Sequence, residues 1–91
     1  MSYEIIELKR AKKFIKKHEN DKSLIYRIHK KYIEISENPY KSDFNELRSD
    51  NCPKCQRAKI GNYRIVFYRS RDEKIIYIID IFHRKNNYQN Y

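Results

Sequence analysis

An α+β fold is predicted by the order in which two hydrophobic periods appear along the 91-residue sequence. Apolar residues recur at helical spacing between Lys9 and Glu37, and the period falls to two from Gln56 to Phe82. Helices therefore precede the main run of strands, unlike the alternating pattern of a parallel doubly wound sheet. A chain of this length supports one hydrophobic core, so residues 1–91 are read as a single domain. The expected architecture is a strand, a helical hairpin and a three-stranded antiparallel meander. The helices should cover one sheet face and leave the other partly open.

Tyr3 to Leu8 reads as a first strand, with Ile5 and Ile6 as its apolar content. Lys9 to Glu19 reads as a basic amphipathic helix whose inner face is Ala11, Phe14, Ile15 and His18. Lys12, Lys13, Lys16 and Lys17 fill its opposite side. Asn20-Asp21 breaks that pattern and offers an N-cap for a second helix from Lys22 to Glu37. Leu24, Ile25, Ile28, Tyr32 and Ile35 form the apolar stripe of this helix, and Tyr26 and Tyr32 read as core or helix-interface residues. Asn38-Pro39 ends it, because the residue before a proline is pushed out of the helical region.

Tyr40 to Lys54 is polar and irregular, tacked to the core by Phe44 and Leu47. Gln56 to Ile60 is a strand with Arg57 and Lys59 on one face and Ala58 and Ile60 on the other. Gly61-Asn62 is a hairpin turn of the two-residue type. Tyr63 to Arg69 is the next strand, Ser70 to Glu73 a second turn, and Lys74 to Phe82 a long strand apolar on both faces, hence interior to the sheet. His83 to Tyr91 is a polar, aromatic tail.

Composition narrows the function classes. The sequence holds 21 Lys and Arg against 12 Asp and Glu, a net charge of +9, which favours a polyanionic partner. No apolar run approaches the roughly 20 residues of a membrane helix, and the N-terminus lacks the features of a signal peptide. A cytoplasmic location without membrane association is expected. Cys52-Pro-Lys-Cys55 supplies one C-x-x-C pair where a structural zinc site wants four ligands. It reads as two free thiols in a loop, with a local disulfide as the second option.

The basic residues of the C-terminal half carry the chemistry. Arg57 and Lys59 share a strand face, Arg64 follows the Gly-Asn turn, and His83, Arg84, Lys85 and Tyr88 follow the long strand. If the meander pairs as drawn, these groups converge on the open face. Guanidinium groups bind phosphate oxygens in pairs and stabilise charge growing on them, and His or Tyr can move a proton. Such a set suits a phosphodiester and needs no carboxylate cage or other cofactor. The bland alternatives are an Arg64–Asp80 ion pair, His83 as a strand-end cap, Tyr88 as tail packing, and a solvated helix face for Lys12, Lys13, Lys16 and Lys17.

The stretch Arg57-Ala-Lys-Ile-Gly-Asn-Tyr-Arg-Ile-Val-Phe-Tyr68, followed by Ile-Phe-His-Arg-Lys-Asn-Asn-Tyr88, resembles the RelE/ParE superfamily of toxins from toxin–antitoxin systems. A basic strand, a Gly-Asn-Tyr-Arg segment, a hydrophobic strand and a terminal His-Arg-Lys-x-x-Tyr stand in the family's order, and the likeness covers nearly the whole chain. In its RelE-like branch the resemblance implies a ribosome-dependent, metal-independent endoribonuclease acting on mRNA. There the 2′-OH attacks the adjacent phosphate and leaves a 2′,3′-cyclic phosphate. Arg57 and Lys59 match positions that hold or activate the substrate, Arg64 the arginine that stabilises the developing phosphate charge, and Arg84 a second phosphate-binding or acid-side arginine. Tyr88 matches a tyrosine that stacks on a base or assists proton transfer, and His83 a position occupied by histidine or lysine. Lys59, His83 and Tyr88 are all candidates for the base, and no glutamate stands where another branch carries one. Lys12, Lys13, Lys16, Lys17 and Lys85 would steer the protein to RNA. The implied partners are the ribosome, its mRNA and a cognate antitoxin with an acidic, partly disordered segment. Two alternatives share the framework: a ParE-like inhibitor of DNA gyrase without nuclease chemistry, and a non-catalytic nucleic-acid-binding module.

Overall fold

Five strands form one mixed sheet, with two helices packed on a single face, in a computed structural model that describes residues 3–37, 45–46 and 55–86. The elements are β1 (Glu4–Glu7), α1 (Lys9–Lys17), α2 (Lys22–Glu37), β2 (Asn45–Glu46), β3 (Gln56–Ile60), β4 (Tyr63–Ser70), β5 (Ile75–His83) and a 3₁₀ turn at Arg84–Asn86. Their order across the sheet is β1-β5-β4-β3-β2. The α+β class and the β3-β4-β5 meander therefore match the expectation. Asn38-Pro39, Phe44, Leu47, Cys52 and Tyr88 lie outside the described residues.

Local chemistry explains the boundaries. Asp21 caps α2, its Oδ1 accepting the Leu24 amide at 3.2 Å. The helix α1 ends at Lys17 rather than Glu19, because His18 closes it. The His18 amide and ring Nδ1 both donate to the Phe14 carbonyl, and the His18 ring stacks on Phe14 at 4.1 Å. Gly61 has φ +55°, which a two-residue hairpin of this kind requires. The second turn lies one residue later than expected, with β4 running through Ser70 and Lys74 at φ 55° leading into β5.

Hydrophobic burial sets the layer arrangement. Leu24, Ile28, Tyr32 and Ile35 of α2, with Ala11 of α1, close over Ala58, Ile60, Ile65, Phe67, Ile76, Ile78 and Ile81 of the sheet. Each fully buried Ile contributes about 1.5–3 kcal/mol of transfer free energy, and Ile28, Ile35, Ile65, Ile76 and Ile78 have no exposed surface.

Three expectations are corrected. The sheet gains a short strand, β2, inside the stretch read as irregular, pairing Asn45 with Arg57 and Glu46 with Gln56. On the second sheet face Cys55, Val66 and Phe82 are buried, with Tyr68 and Ile79 against them. Cys55 is fully buried and disulfide-bonded, so it is not the free thiol expected. Tyr26, expected inside, is 62% exposed; its position on α2 faces away from the apolar stripe, and the Lys30 ammonium lies 5.3 Å from its ring centre. No helix among the described residues is long and apolar enough to cross a membrane.

The first strand pairs in parallel with β5, from Glu4 opposite Ile75 to Glu7 opposite Ile78. It is anchored to α2 by Tyr3 N–H donating to the Ser36 carbonyl at 2.8 Å and by the buried Tyr32 hydroxyl donating to Glu7 Oε2 at 2.8 Å. Burial, and then the Glu7 carboxylate, push the Tyr32 hydroxyl well above the ordinary tyrosine range. The unfolded chain releases this proton near about pH 10, whereas the folded chain retains it. The stabilisation is thus complete below pH 10 and is lost as pH rises above it. Tyr32→Phe should lower stability by about 2 kcal/mol at neutral pH and flatten the alkaline loss of stability, both read from urea denaturation at a series of pH values.

Candidate functional site

Strand alternation and cross-strand register sort every side chain of the meander onto one of two faces. Lys59 stands directly opposite Arg64, and Arg57 opposite Val66. Arg64 is in turn opposite Phe82 on β5. Ala58, Ile60 and Ile65 belong to the helix-side core, so Arg57, Lys59 and Arg64 share the other face. Two rows result: Lys59, Arg64 and Phe82 nearest the hairpin turn, then Arg57, Val66 and Asp80.

The hairpin turn gathers cations at one end of this face. Arg64 Nη1 donates to the Gly61 carbonyl at 3.0 Å and to the Tyr63 carbonyl at 2.9 Å, which holds the guanidinium over the turn. The Arg84 amide donates to the Asn62 carbonyl at 2.7 Å, so the 3₁₀ turn carrying Arg84 and Lys85 docks on the same hairpin. Both of these side chains are exposed. The ion pair proposed for Arg64 as a bland reading goes elsewhere. Asp80 Oδ2 lies 3.8 Å from Arg10 Nη1, while its Oδ1 accepts the Ile81 amide at 2.8 Å. Among the described residues, the ion pairs include none from a carboxylate to Lys59 or Arg64.

His83 is not brought onto this face. Its partner in register is Tyr63, and the two rings meet edge to face at 5.2 Å. Tyr63 packs against the helix-side core and continues to Phe14 at 5.7 Å. The cause is a β-bulge. Val66 pairs with Asp80 and Phe67 with Ile78, so β5 carries one extra residue, Ile79, between them. An uninterrupted strand would aim His83 to the face of Tyr77; the bulge reverses the alternation and turns His83 toward the helices. Its Nδ1 accepts the Lys85 amide at 3.2 Å, so it acts as a strand-end cap.

Lys12, Lys13, Lys16 and Lys17 are all exposed on α1, whose Ala11, Phe14 and Ile15 pack on the helix-side core.

Arg27 was not singled out from the sequence. It is exposed on α2, yet its guanidinium reaches the hairpin, where a Cβ on Gly61 would come within 2.6 Å of Nη2. Arg27 and Arg64 therefore approach the same glycine, one from the helix layer and one from the sheet. Nothing in the local sequence signals this, since the contact joins residues more than a helix apart. Among the described residues no group of three or more His, Cys, Asp or Glu is placed to hold a metal ion.

The sequence matches the family model described as ParE toxin of type II toxin–antitoxin system, parDE, over residues 6–88. The fold is similar to that of a chain in the crystal structure of the toxin–antitoxin complex RelBE2 from Mycobacterium tuberculosis. That comparison has a TM-score of 0.76 and 18% identity, covering 92% of this chain and 100% of that one. It is also similar to a mutant of the Escherichia coli toxin RelE in the free state, with a TM-score of 0.77 and 24% identity over 96% of this chain and 88% of that one. No curated protein matches the sequence.

Gly61 is the point on which the cluster turns. Gly61→Ala should lower stability by about 1–2 kcal/mol, because an L-residue pays a steric penalty at positive φ, and should also displace the Arg27 guanidinium. Urea denaturation measures the first effect. Arg27→Ala in the Gly61→Ala background tests the second, since relief of the contact should restore part of the loss.

Proposed function

We propose that this chain, which belongs to the family of ParE toxins of type II toxin–antitoxin systems, is a ribosome-dependent endoribonuclease that cleaves mRNA. The observation that carries the reading is the cross-strand pair of Lys59 and Arg64, with Arg57 on the same face and Arg84 tied to the adjoining turn. A phosphodiester seated there meets the guanidinium groups of Arg64 and Arg57, while the Asp80 carboxylate in the row of Arg57 is engaged by Arg10 and the Ile81 amide. As the nucleophilic 2′-OH attacks phosphorus, charge grows on the non-bridging oxygens, and Arg64 and Arg57 stabilise it by charge-assisted hydrogen bonds. The bond from phosphorus to the 5′ oxygen breaks, giving a 2′,3′-cyclic phosphate and a free 5′-OH. In its neutral form Lys59, opposite Arg64, takes the 2′-OH proton, and the Arg84 guanidinium stabilises the leaving 5′ oxygen, which takes its proton from water. His83, turned toward Tyr63, is left out of this assignment.

To reach substrate, the Arg64 guanidinium must exchange its two carbonyl acceptors for phosphate oxygens. That exchange is favourable, because an ionic acceptor binds a guanidinium more strongly than a neutral carbonyl does. The partner that restrains the toxin is a cognate antitoxin, and the +9 charge suits an acidic segment wrapping this surface.

The family match itself favours a second reading, inhibition of DNA gyrase without RNA cleavage. Purified protein incubated with programmed ribosomes separates the two. The expected result is mRNA cut in the decoding site, with Arg64→Ala lowering the cleavage rate by about 10²–10³-fold and His83→Ala changing it little. Intact mRNA together with inhibited supercoiling in a gyrase assay would overturn the ribonuclease reading.

A further inference from the structure

Beyond the cations, the same sheet face carries an aromatic pair. Tyr68 on β4 is the direct cross-strand partner of Tyr77 on β5. Their ring centres lie 6.4 Å apart and the planes differ by 27°, so the two rings stand nearly parallel to each other. Both side chains are half-buried, and Tyr68 rests on the Val66 and Phe82 cluster.

The ring of Tyr77 is held in place. Its hydroxyl donates to Glu73 Oε1 at 3.0 Å, and the Ser70 hydroxyl donates to the same oxygen at 3.2 Å. Ser70 Oγ also accepts the Glu73 amide at 3.4 Å, closing the turn on itself. The surface is therefore preorganised, which lowers the entropic cost of receiving a flat ligand.

Placement relative to the cations completes the picture. From Arg64 to Tyr68 is four residues of strand, about 13 Å at the usual rise. Along this line stand Lys59 and Arg64, then Arg57, then the two tyrosines. Charge falls in the same direction, because Glu73 and Glu4 lie at the tyrosine end. Phosphates are drawn to the arginine end, and a flat, neutral group is left for the rings.

We propose that Tyr68 and Tyr77 form a base-stacking platform for a single-stranded RNA whose backbone follows Arg57, Lys59 and Arg64. The proposal rests on the ribonuclease reading and adds a binding subsite a short way along the strand from the cleaved linkage. Stacking tolerates any base, so the platform supplies affinity and register rather than sequence choice.

The test uses a short labelled oligoribonucleotide and the same backbone carrying abasic riboses, with binding followed by fluorescence anisotropy across a salt series. The whole chain should bind the base-bearing strand about tenfold more tightly than the abasic one. The Tyr68→Leu/Tyr77→Leu double variant keeps apolar bulk over Val66 and should abolish this preference while leaving the salt slope unchanged. Tyr68→Phe and Tyr77→Phe retain the rings and should retain the preference. Arg57→Ala should weaken both ligands alike and reduce the salt slope. Equal binding of the two strands by the wild-type chain, no detectable binding of either, or a preference that survives in the double variant would each overturn the platform. If the preference is present but programmed ribosomes keep their mRNA intact, the platform stands and the ribonuclease reading falls.

Discussion

Register between β3, β4 and β5 is the constraint from which the remaining features follow. The two-residue turn at Gly61-Asn62 sets Ile60 against Tyr63, and every later pair is counted from there. Because side chains alternate with a period of two, a slip of one residue would exchange the helix-side core for the cationic face. Ile65 and Phe67 would meet water, and Arg64 would be forced among Leu24 and Ile28. The hydrophobic burial of one face therefore fixes the position of the charges on the other.

The bulge at Ile79 modifies that constraint on β5 alone. Before it, Ile76 and Ile78 point to the helices; after it, Ile81 and His83 do. Phe82 is thereby brought beside Arg64, and an apolar wall flanks that guanidinium's strand position. An apolar neighbour lowers the local dielectric and strengthens a guanidinium's grip on an anion. The same device removes His83 from the cluster and gives it to an aromatic row running Tyr63, Phe14 and His18 along the helix side.

Much of the fold was legible because its signals are local. The bounds of α2 follow from the Asp21 cap, and those of β3 from its alternation and the turn behind it. The face shared by Arg57 and Lys59 is also a matter of period. What was not legible depends on distant choices. Nothing in Glu4–Glu7 names β5 as its neighbour, and two residues of β2 carry no period at all. The placement of His83 hinges on one inserted residue, which a hydrophobic run such as Ile75–Ile79 conceals. Arg27 joins the hairpin only through tertiary packing, and Tyr26 faces solvent where its residue type suggested burial.

The parallel pairing of β1 with β5 has a bearing on how the molecule comes into being. The two strands lie near opposite limits of the described chain, and both helices, β2, β3 and β4 are synthesised between them. Contacts of such long sequence separation form late, after the entropy of closing the intervening loop has been met. During translation the first strand must wait, unpaired on its sheet side, until the last one has left the exit tunnel. A nascent polypeptide therefore cannot close the sheet, and a product terminated before β5 lacks the strand that joins β1 to β4.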